Sequence, residues 1–188
     1  MNTVDPQSKN YLTEAEVKVL LEACRAGRYA TRDHLLLLMM YRHGLRVSEL
    51  VDIRLADVDL PTARLFVRRK KNSLSTHQPI EGDELRAIRA WLRLRARHKL
   101  AESNYLFLSE RGPMCRAAIN YLIAEAGKRA KLSCAGHPHM LRHSCGYFLA
   151  NKGNDTRLVQ DYPGHKNIAH TVKYTRTNAA RFEGLWRS

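Results

Sequence analysis

His139 and Arg142 lie three residues apart in the segment 137–143. Pro138 is favoured at the first position of a helix, so the two side chains are expected on one helical face. The pair places a proton-transfer group beside a forked, permanently charged donor, a combination that suits a phosphodiester. Such pairs more often bind a carboxylate or a backbone carbonyl, so this one alone does not define a site.

The same segment offers a metal-binding interpretation. His137, His139 and His143 cluster in the sequence, and His165 could supply a further ligand. Zinc sites use three or four ligands, and the metalloprotease motif carries Glu directly after its first histidine. Met140 stands at that place here. We therefore predict no metal and keep zinc as an alternative.

The chain is strongly basic. Its 188 residues include 32 Lys and Arg against 18 Asp and Glu, a formal net charge of +14. This excess predicts a polyanionic partner, nucleic acid before an acidic membrane face. Positive residues concentrate at 68–71 and along the next predicted helix, at Arg86, Arg89, Arg93, Arg95 and Arg97. Phosphate contacts carry no sequence information, so a non-catalytic DNA-binding module would show the same charge.

Several protein classes are excluded by the apolar pattern. The longest apolar run, Leu35–Tyr41, has seven residues, whereas a membrane-spanning helix needs roughly 20. The first 15 residues contain no apolar stretch typical of a signal peptide. We expect a cytoplasmic protein with no membrane partner. Its cysteines contain no C-x-x-C pair and are expected to be reduced core thiols: Cys24, Cys115, Cys134 and Cys145.

The elements that must position these residues are mainly helical. Thr13 and Glu16 form a capping-box pattern that starts the first helix, which Gly27 is expected to end. Residues 64–68 and 76–80 predict a β-hairpin across a polar turn. Further helices are predicted at 31–43, 47–55, 83–100, 115–130, 138–152 and 155–162. The predicted fold class is mainly α with a small antiparallel β-sheet (α+β).

One domain is expected over residues 11–177, since no repeat or low-complexity stretch divides it. Residues 1–10 are polar and are expected to be flexible. Residues 178–188 form a C-terminal tail whose apolar side chains are Phe182, Leu185 and Trp186. These could pack on a neighbouring protomer or on their own domain.

Four separated motifs carry further information: Gly44–Leu50 with Arg46, His139-x-x-Arg142, Gly164–Ile168 with His165, and Tyr174. Read together, they resemble the tyrosine recombinase family of phage integrase type. The resemblance runs from about residue 10 to the end of the chain and implies the family's catalytic-domain fold. The segments 137–146 and 155–158 are most similar to the short fimbrial phase-variation DNA invertases of enterobacteria.

The resemblance implies a role for each motif residue. Tyr174 would attack the scissile phosphate and form a 3′-phosphotyrosyl intermediate, which rejoins DNA without a cofactor. Arg46 and Arg142 would hold the non-bridging oxygens. His139 would help to deprotonate the tyrosine, and His165 would hydrogen-bond the phosphate.

A lysine of the hairpin would protonate the leaving 5′ oxygen. Lys70 and Lys71 are adjacent candidates, and the family's usual spacing, counted back from Pro79, favours Lys71. Glu49, three residues after Arg46, would orient Arg46 or His139.

The chain departs from the family pattern at two places. Pro163 stands where the family usually has Leu, which could change how the preceding helix ends and where His165 points. Only about 10 residues precede the catalytic region, where most members carry an N-terminal DNA-gripping domain. We expect the net positive charge, oligomerisation or an accessory protein to offset that loss.

The implied partners are double-stranded DNA with inverted-repeat recognition sites, a homotetramer on two sites, and accessory DNA-bending proteins in the nucleoid. The leading hypothesis is a site-specific recombinase that inverts a fimbrial promoter element. Two other functions fit the sequence: a catalytically degenerate DNA-binding regulator of the same fold, and a type IB topoisomerase-like enzyme.

Overall fold

The computed structural model describes residues 10–70, 74–133, 136–164 and 171. Seven α-helices and five short strands lie within these residues. The helices are α1 Glu14–Cys24, α2 Ala30–Arg42, α3 Val47–Leu50, α4 Gly82–Arg95, α5 Arg116–Arg129, α6 Pro138–Asn151 and α7 Thr156–Asp161. The strands are β1 Val58–Asp59, β2 Arg64–Val67, β3 Thr76–Pro79, β4 Leu108–Ser109 and β5 Gly112–Pro113. The predicted fold class is confirmed.

Helix α1 begins with the predicted capping box. The Thr13 hydroxyl accepts from the amide of Glu16, and the Glu16 carboxylate accepts from the amide of Thr13 at 2.8 Å. This exchange satisfies two of the amides that a helix start leaves without partners. The helix ends at Cys24, three residues before Gly27.

Helix α2 forms the centre of the hydrophobic core. Its residues Leu35–Met40 are all buried, so this part of the helix is surrounded on every side. It packs against α1, α4 and α6. A helix that is apolar all round must be enclosed in this way, and the end of α2 is thereby fixed where the segment 43–49 begins.

The first sheet has the order β1-β2-β3 and is antiparallel throughout. Strands β2 and β3 form the predicted hairpin, with Arg64 opposite Pro79 and Val67 opposite Thr76. Leu65 and Val67 are buried, so one face of β2 lies on the core. The sequence reading missed β1 and the second hairpin, β4-β5, whose strands of two residues show no periodicity.

The third helix is much shorter than the predicted range 47–55. It ends at Leu50, because the following backbone pairs with a distant loop instead of continuing the helix. The Leu55 amide donates to the Asn104 carbonyl at 2.8 Å, and the Leu106 amide donates to the Ile53 carbonyl at 2.9 Å. Tertiary pairing thus overrides local helix propensity.

Helix α4 ends at Arg95, earlier than predicted. The Arg95 guanidinium is buried and donates to the carbonyls of Ala101, Ser103, Tyr105 and Leu106. The loop after the helix is therefore wrapped around this side chain, and Arg95 is structural. Among the described residues, no helix combines the length and the apolar character needed to cross a bilayer.

Candidate active site

The segment between α2 and α3 carries the first predicted catalytic arginine. Gly44 has φ of +55°, a left-handed conformation in which a side chain is strained. A Cβ at Gly44 would lie 3.0 Å from the Cβ of Pro163. Glycine therefore lets the chain turn closely past Pro163 and places Arg46 at the N-cap of α3.

Glu49 is the centre of the site. Its carboxylate is buried, and Oε1 accepts from Arg46 Nη1 at 2.6 Å. Its other oxygen, Oε2, accepts from Arg69 Nη1 at 2.8 Å and from the Arg46 amide at 2.9 Å. Arg142 Nη1 lies 3.9 Å from Oε2. We call Glu49 with Arg46, Arg69 and Arg142 the arginine cluster.

The arginine cluster keeps Glu49 ionised. Burial by itself would raise the pKa of the Glu49 carboxyl, but the combined effect of Arg69, the Arg46 amide and the Arg46 and Arg142 charges holds the pKa below its usual value. One carboxylate therefore faces three guanidiniums. The cluster has two positive charges in excess, which suits an anion.

Helix α6 supplies Arg142. Pro138 occupies the first turn, as predicted. Arg142 is buried, and its Nη1 donates to the Gly44 carbonyl. Its Nη2 reaches the Gly164 carbonyl at 3.4 Å, and Arg46 Nη2 reaches the same oxygen at 3.4 Å. The two predicted phosphate-binding arginines thus converge on one point.

Pro163 fits the turn that follows α7. The helix ends at Asp161, so Pro163 lies beyond it and interrupts no helical hydrogen bond. Pro163 is buried, and the Gly164 amide donates to the Asp161 carbonyl at 3.0 Å. Up to Gly164, the turn after α7 therefore accommodates Pro163 at the position where the family usually has Leu.

His139 lies in the first turn of α6 and is exposed, one turn before Arg142. His137 lies close to His139. Burial lowers the pKa of His137, and the charge of His139 lowers it further. Within the described parts of the chain, no group of three or more His, Cys, Asp or Glu is arranged to hold a metal ion. His165, the further ligand that zinc would need, lies outside those parts.

The other predicted catalytic residues, Lys71, His165 and Tyr174, lie outside the described residues, as does the tail 178–188. Lys70, the alternative to Lys71, is described. Its ammonium group pairs with the Asp52 carboxylate, and its amide donates to Glu49 Oε1 at 3.4 Å. The hairpin is thereby tied to the arginine cluster one residue before Lys71.

Sequence reasoning missed Arg69. Its side chain is 0% exposed, although it belongs to a run of four consecutive basic residues. Leu65 and Val67 point to the core, and Arg69 continues their alternation. This two-residue alternation is the sequence signal that could have identified Arg69 as an inward-pointing residue.

The comparisons with known proteins decide the family. The family model described as "Phage integrase family" matches residues 10–181. The chain belongs to the phage integrase family. The chain is similar to the type 1 fimbriae regulatory protein FimE of Escherichia coli K12, with 47% identity over 180 residues, 95% of this chain and 91% of that protein. FimB of the same strain is 45% identical over 186 residues, 98% of this chain and 93% of that protein.

A solved member of the phage integrase family has the same fold. The crystal structure of XerA recombinase superposes with a TM-score of 0.78 at 30% identity, covering 91% of this chain and 61% of that one. The chain is a tyrosine-type site-specific recombinase by family and by fold. The prediction of a tyrosine recombinase catalytic-domain fold is confirmed.

Proposed function

We propose that this recombinase inverts a fimbrial promoter element, cutting and rejoining DNA through a 3′-phosphotyrosyl intermediate. The fimbrial role is supported by FimB and FimE, which are named as type 1 fimbriae regulatory proteins and match this chain over nine tenths of their length or more. The chemical role is supported by one observation above all. Arg46 and Arg142 approach from different elements and converge within hydrogen-bond distance of one oxygen, that of Gly164.

The proposed reaction balances without a cofactor. The Tyr174 oxygen attacks phosphorus, the bond from phosphorus to the 5′ oxygen breaks, and the phosphate becomes esterified to the tyrosine. His139 takes the tyrosine proton, and Lys71 donates a proton to the leaving 5′ oxygen. Arg46 and Arg142 hold the non-bridging oxygens, and His165 donates a hydrogen bond to the phosphate.

Covalent trapping tests the nucleophile. The protein is incubated with a nicked recognition site, from which the cleaved fragment diffuses away, and the adduct is measured on a denaturing gel. We expect an adduct with the wild type and none with Tyr174→Phe. The exposed Tyr121 provides the matched control, since Tyr121→Phe should form the adduct normally. An adduct with Tyr174→Phe would assign the nucleophile elsewhere.

The same assay separates the alternative functions. A catalytically degenerate regulator would bind DNA and form no adduct with any variant. A topoisomerase-like enzyme would relax supercoiled plasmid that has no inverted repeat. We expect inversion only where two inverted-repeat sites are present.

The proposed assembly is a homotetramer on two sites of double-stranded DNA in the nucleoid, aided by DNA-bending proteins. A groove of about 1200 Å³, lined by apolar and charged side chains, is the surface we propose for a neighbouring protomer; its apolar lining includes Val17, Leu21, Leu38, Phe148 and Leu149. We propose the tail 178–188 of another copy as its occupant, through Phe182, Leu185 and Trp186. Trp186→Ala should then weaken cooperative binding to paired sites without weakening binding to a single site.

A further inference from the structure

Arg69 connects four separate parts of the chain. Its Nη1 donates to Glu49, its Nη2 donates to the carbonyl of His43 at 2.8 Å and to that of Tyr162 at 2.6 Å. Its own amide donates to the Ser75 hydroxyl at 3.1 Å, at the turn end of the β2-β3 hairpin. The guanidinium therefore joins the hairpin to the end of α2, to α3 and to the turn after α7.

Arg69 and Lys70 attach the same end of the hairpin to Glu49. Arg69 and Lys70 both reach Glu49, through the guanidinium and the amide respectively. The following residue is Lys71, two positions from Arg69. The turn end of the hairpin is therefore held at two points, at Arg69 and at Lys70, the last described residue before Lys71 in the sequence.

Stability alone gives a weak reason for a buried arginine at this place. Removing two charges from water is expensive, and a buried ion pair is often no more stabilising than apolar residues of similar volume. Arg69 Nε, moreover, has no hydrogen-bond partner among the residues that the structure describes. Leu65 and Val67 on the same strand face are apolar, so an apolar residue would continue the core.

We propose that Arg69 is a positioning residue for the general acid: it fixes the hairpin to Glu49 and so holds Lys71 at the leaving 5′ oxygen. The inference rests on the proposed role of Lys71. The Arg69 side chain is fully buried, so in this proposal it acts through the hairpin and not on the DNA directly. Its loss should therefore impair protonation of the leaving oxygen more than any other part of the reaction.

A sulfur-substituted substrate isolates that step. When sulfur replaces the bridging 5′ oxygen, the group leaves as a thiolate, whose conjugate acid has a pKa of about 8.5, and needs no proton donor. Cleavage of the oxygen and sulfur substrates is measured with the same protein preparation. The ratio of the two rates does not depend on the fraction of protein that is folded.

We expect Arg69→Met to cleave the oxygen substrate at least about tenfold more slowly, since general acid catalysis contributes about 10²–10⁴-fold. Cleavage of the sulfur substrate should remain near the wild-type rate, so the ratio rises. Arg69→Lys keeps the charge without the forked contacts and should give a smaller rise. Arg68→Met is the matched control, because the neighbouring Arg68 is 60% exposed and pairs with Asp57.

Two results would overturn the proposal. One is a rate ratio for Arg69→Met equal to that of the wild type, which would leave Arg69 with no effect on the leaving group. The other is an unchanged ratio for Lys71→Ala, which would remove the general acid role from Lys71 and with it the role of Arg69. If the rate ratio rises in Lys71→Ala but not in Arg69→Met, the positioning role of Arg69 is refuted and the proposed function is unaffected.

Discussion

Two buried polar clusters flank the same stretch of chain, and only one of them resembles a site for an anion. The arginine cluster surrounds Glu49. The second, which we call the histidine cluster, consists of His43, Gln78 and Glu84. His43 Nδ1 lies 2.7 Å from Gln78 Oε1, and its Nε2 lies 2.8 Å from Glu84 Oε1.

The clusters differ in charge and in access. In the histidine cluster, the Glu84 carboxylate faces His43 and, at 3.6 Å, Arg42 Nη1, and His43 and Glu84 are 1% and 0% exposed. The arginine cluster has three guanidiniums for one carboxylate, and its Arg46 side chain is 22% exposed. Burial of polar groups is thus common to both. Excess charge at a partly open position is the feature by which the proposed phosphate site differs from a structural network.

The largest effect is expected from Arg142→Lys. Lysine keeps a positive charge but cannot make the forked contacts, so cleavage should fall by about 100-fold or more. DNA affinity should change little, because many other cations contact phosphates. Cleavage kinetics and gel-shift binding measure the two effects, with Arg68→Lys as the control. Equal losses of binding and cleavage would count against the distinction between the clusters.

Glu84→Gln tests the histidine cluster. It replaces the buried carboxylate that contacts His43 Nε2, and leaving a buried polar group without its charged hydrogen-bond partner costs about 3 kcal/mol. For a domain of this size, the midpoint of thermal unfolding should fall by roughly 6–12 °C. Cleavage per folded molecule should stay unchanged. A variant that folds normally but cleaves slowly would show that this cluster also takes part in the reaction.

Glu49→Gln should lower both stability and activity. Hydrogen bonds to charged groups contribute about 2 kcal/mol each, and the variant leaves Arg46 and Arg69 without their anion. The folded pKa of Glu49 is depressed, so its contribution to stability is present above its unfolded pKa, about 4.3, and is lost as the pH falls through the folded value. Denaturant unfolding from pH 3 to 7 should therefore show a flatter acid limb in Glu49→Gln than in the wild type.

Gly44→Ala should have the smallest effect. A side chain in the left-handed conformation costs roughly 1–2 kcal/mol, and the new Cβ would press on Pro163. Because the Gly44 carbonyl accepts from Arg142 and Arg69, some loss of cleavage should accompany the loss of stability. Gly153→Ala is the matched control: Gly153 also has a positive φ of +77°, but a Cβ there would meet nothing within 4 Å.

The sequence predicted the parts of the fold that depend on local signals. The capping box of α1 needs only Thr13 and Glu16, and the β2-β3 hairpin needs only alternation around a polar turn. It failed for α3, because the residues after Leu50 pair with a loop some fifty positions away. No local sequence pattern indicates a pairing partner so far along the chain.

The residues of the candidate site were only partly predicted, for a similar reason. Arg46, Glu49 and Arg142 were identified through a family resemblance, and the structure brings them together. Arg69 is one of four consecutive basic residues, and their types alone do not show which of them is buried. Which of them turns inward is decided by strand alternation and by the buried Glu49, which is a property of the folded chain.

The residues that form the arginine cluster are far apart in the sequence, and this separation matters while the protein is being synthesised. Arg142 and Gly44 are 98 positions apart, and Arg69 and Tyr162 are 93 apart. Contacts of such separation form only after the intervening chain has been synthesised and folded. A ribosome-bound fragment that ends before residue 142 lacks Arg142, one of the two arginines proposed to hold the phosphate. The proposed roles therefore predict that an incomplete translation product carries positive charge but does not cleave DNA.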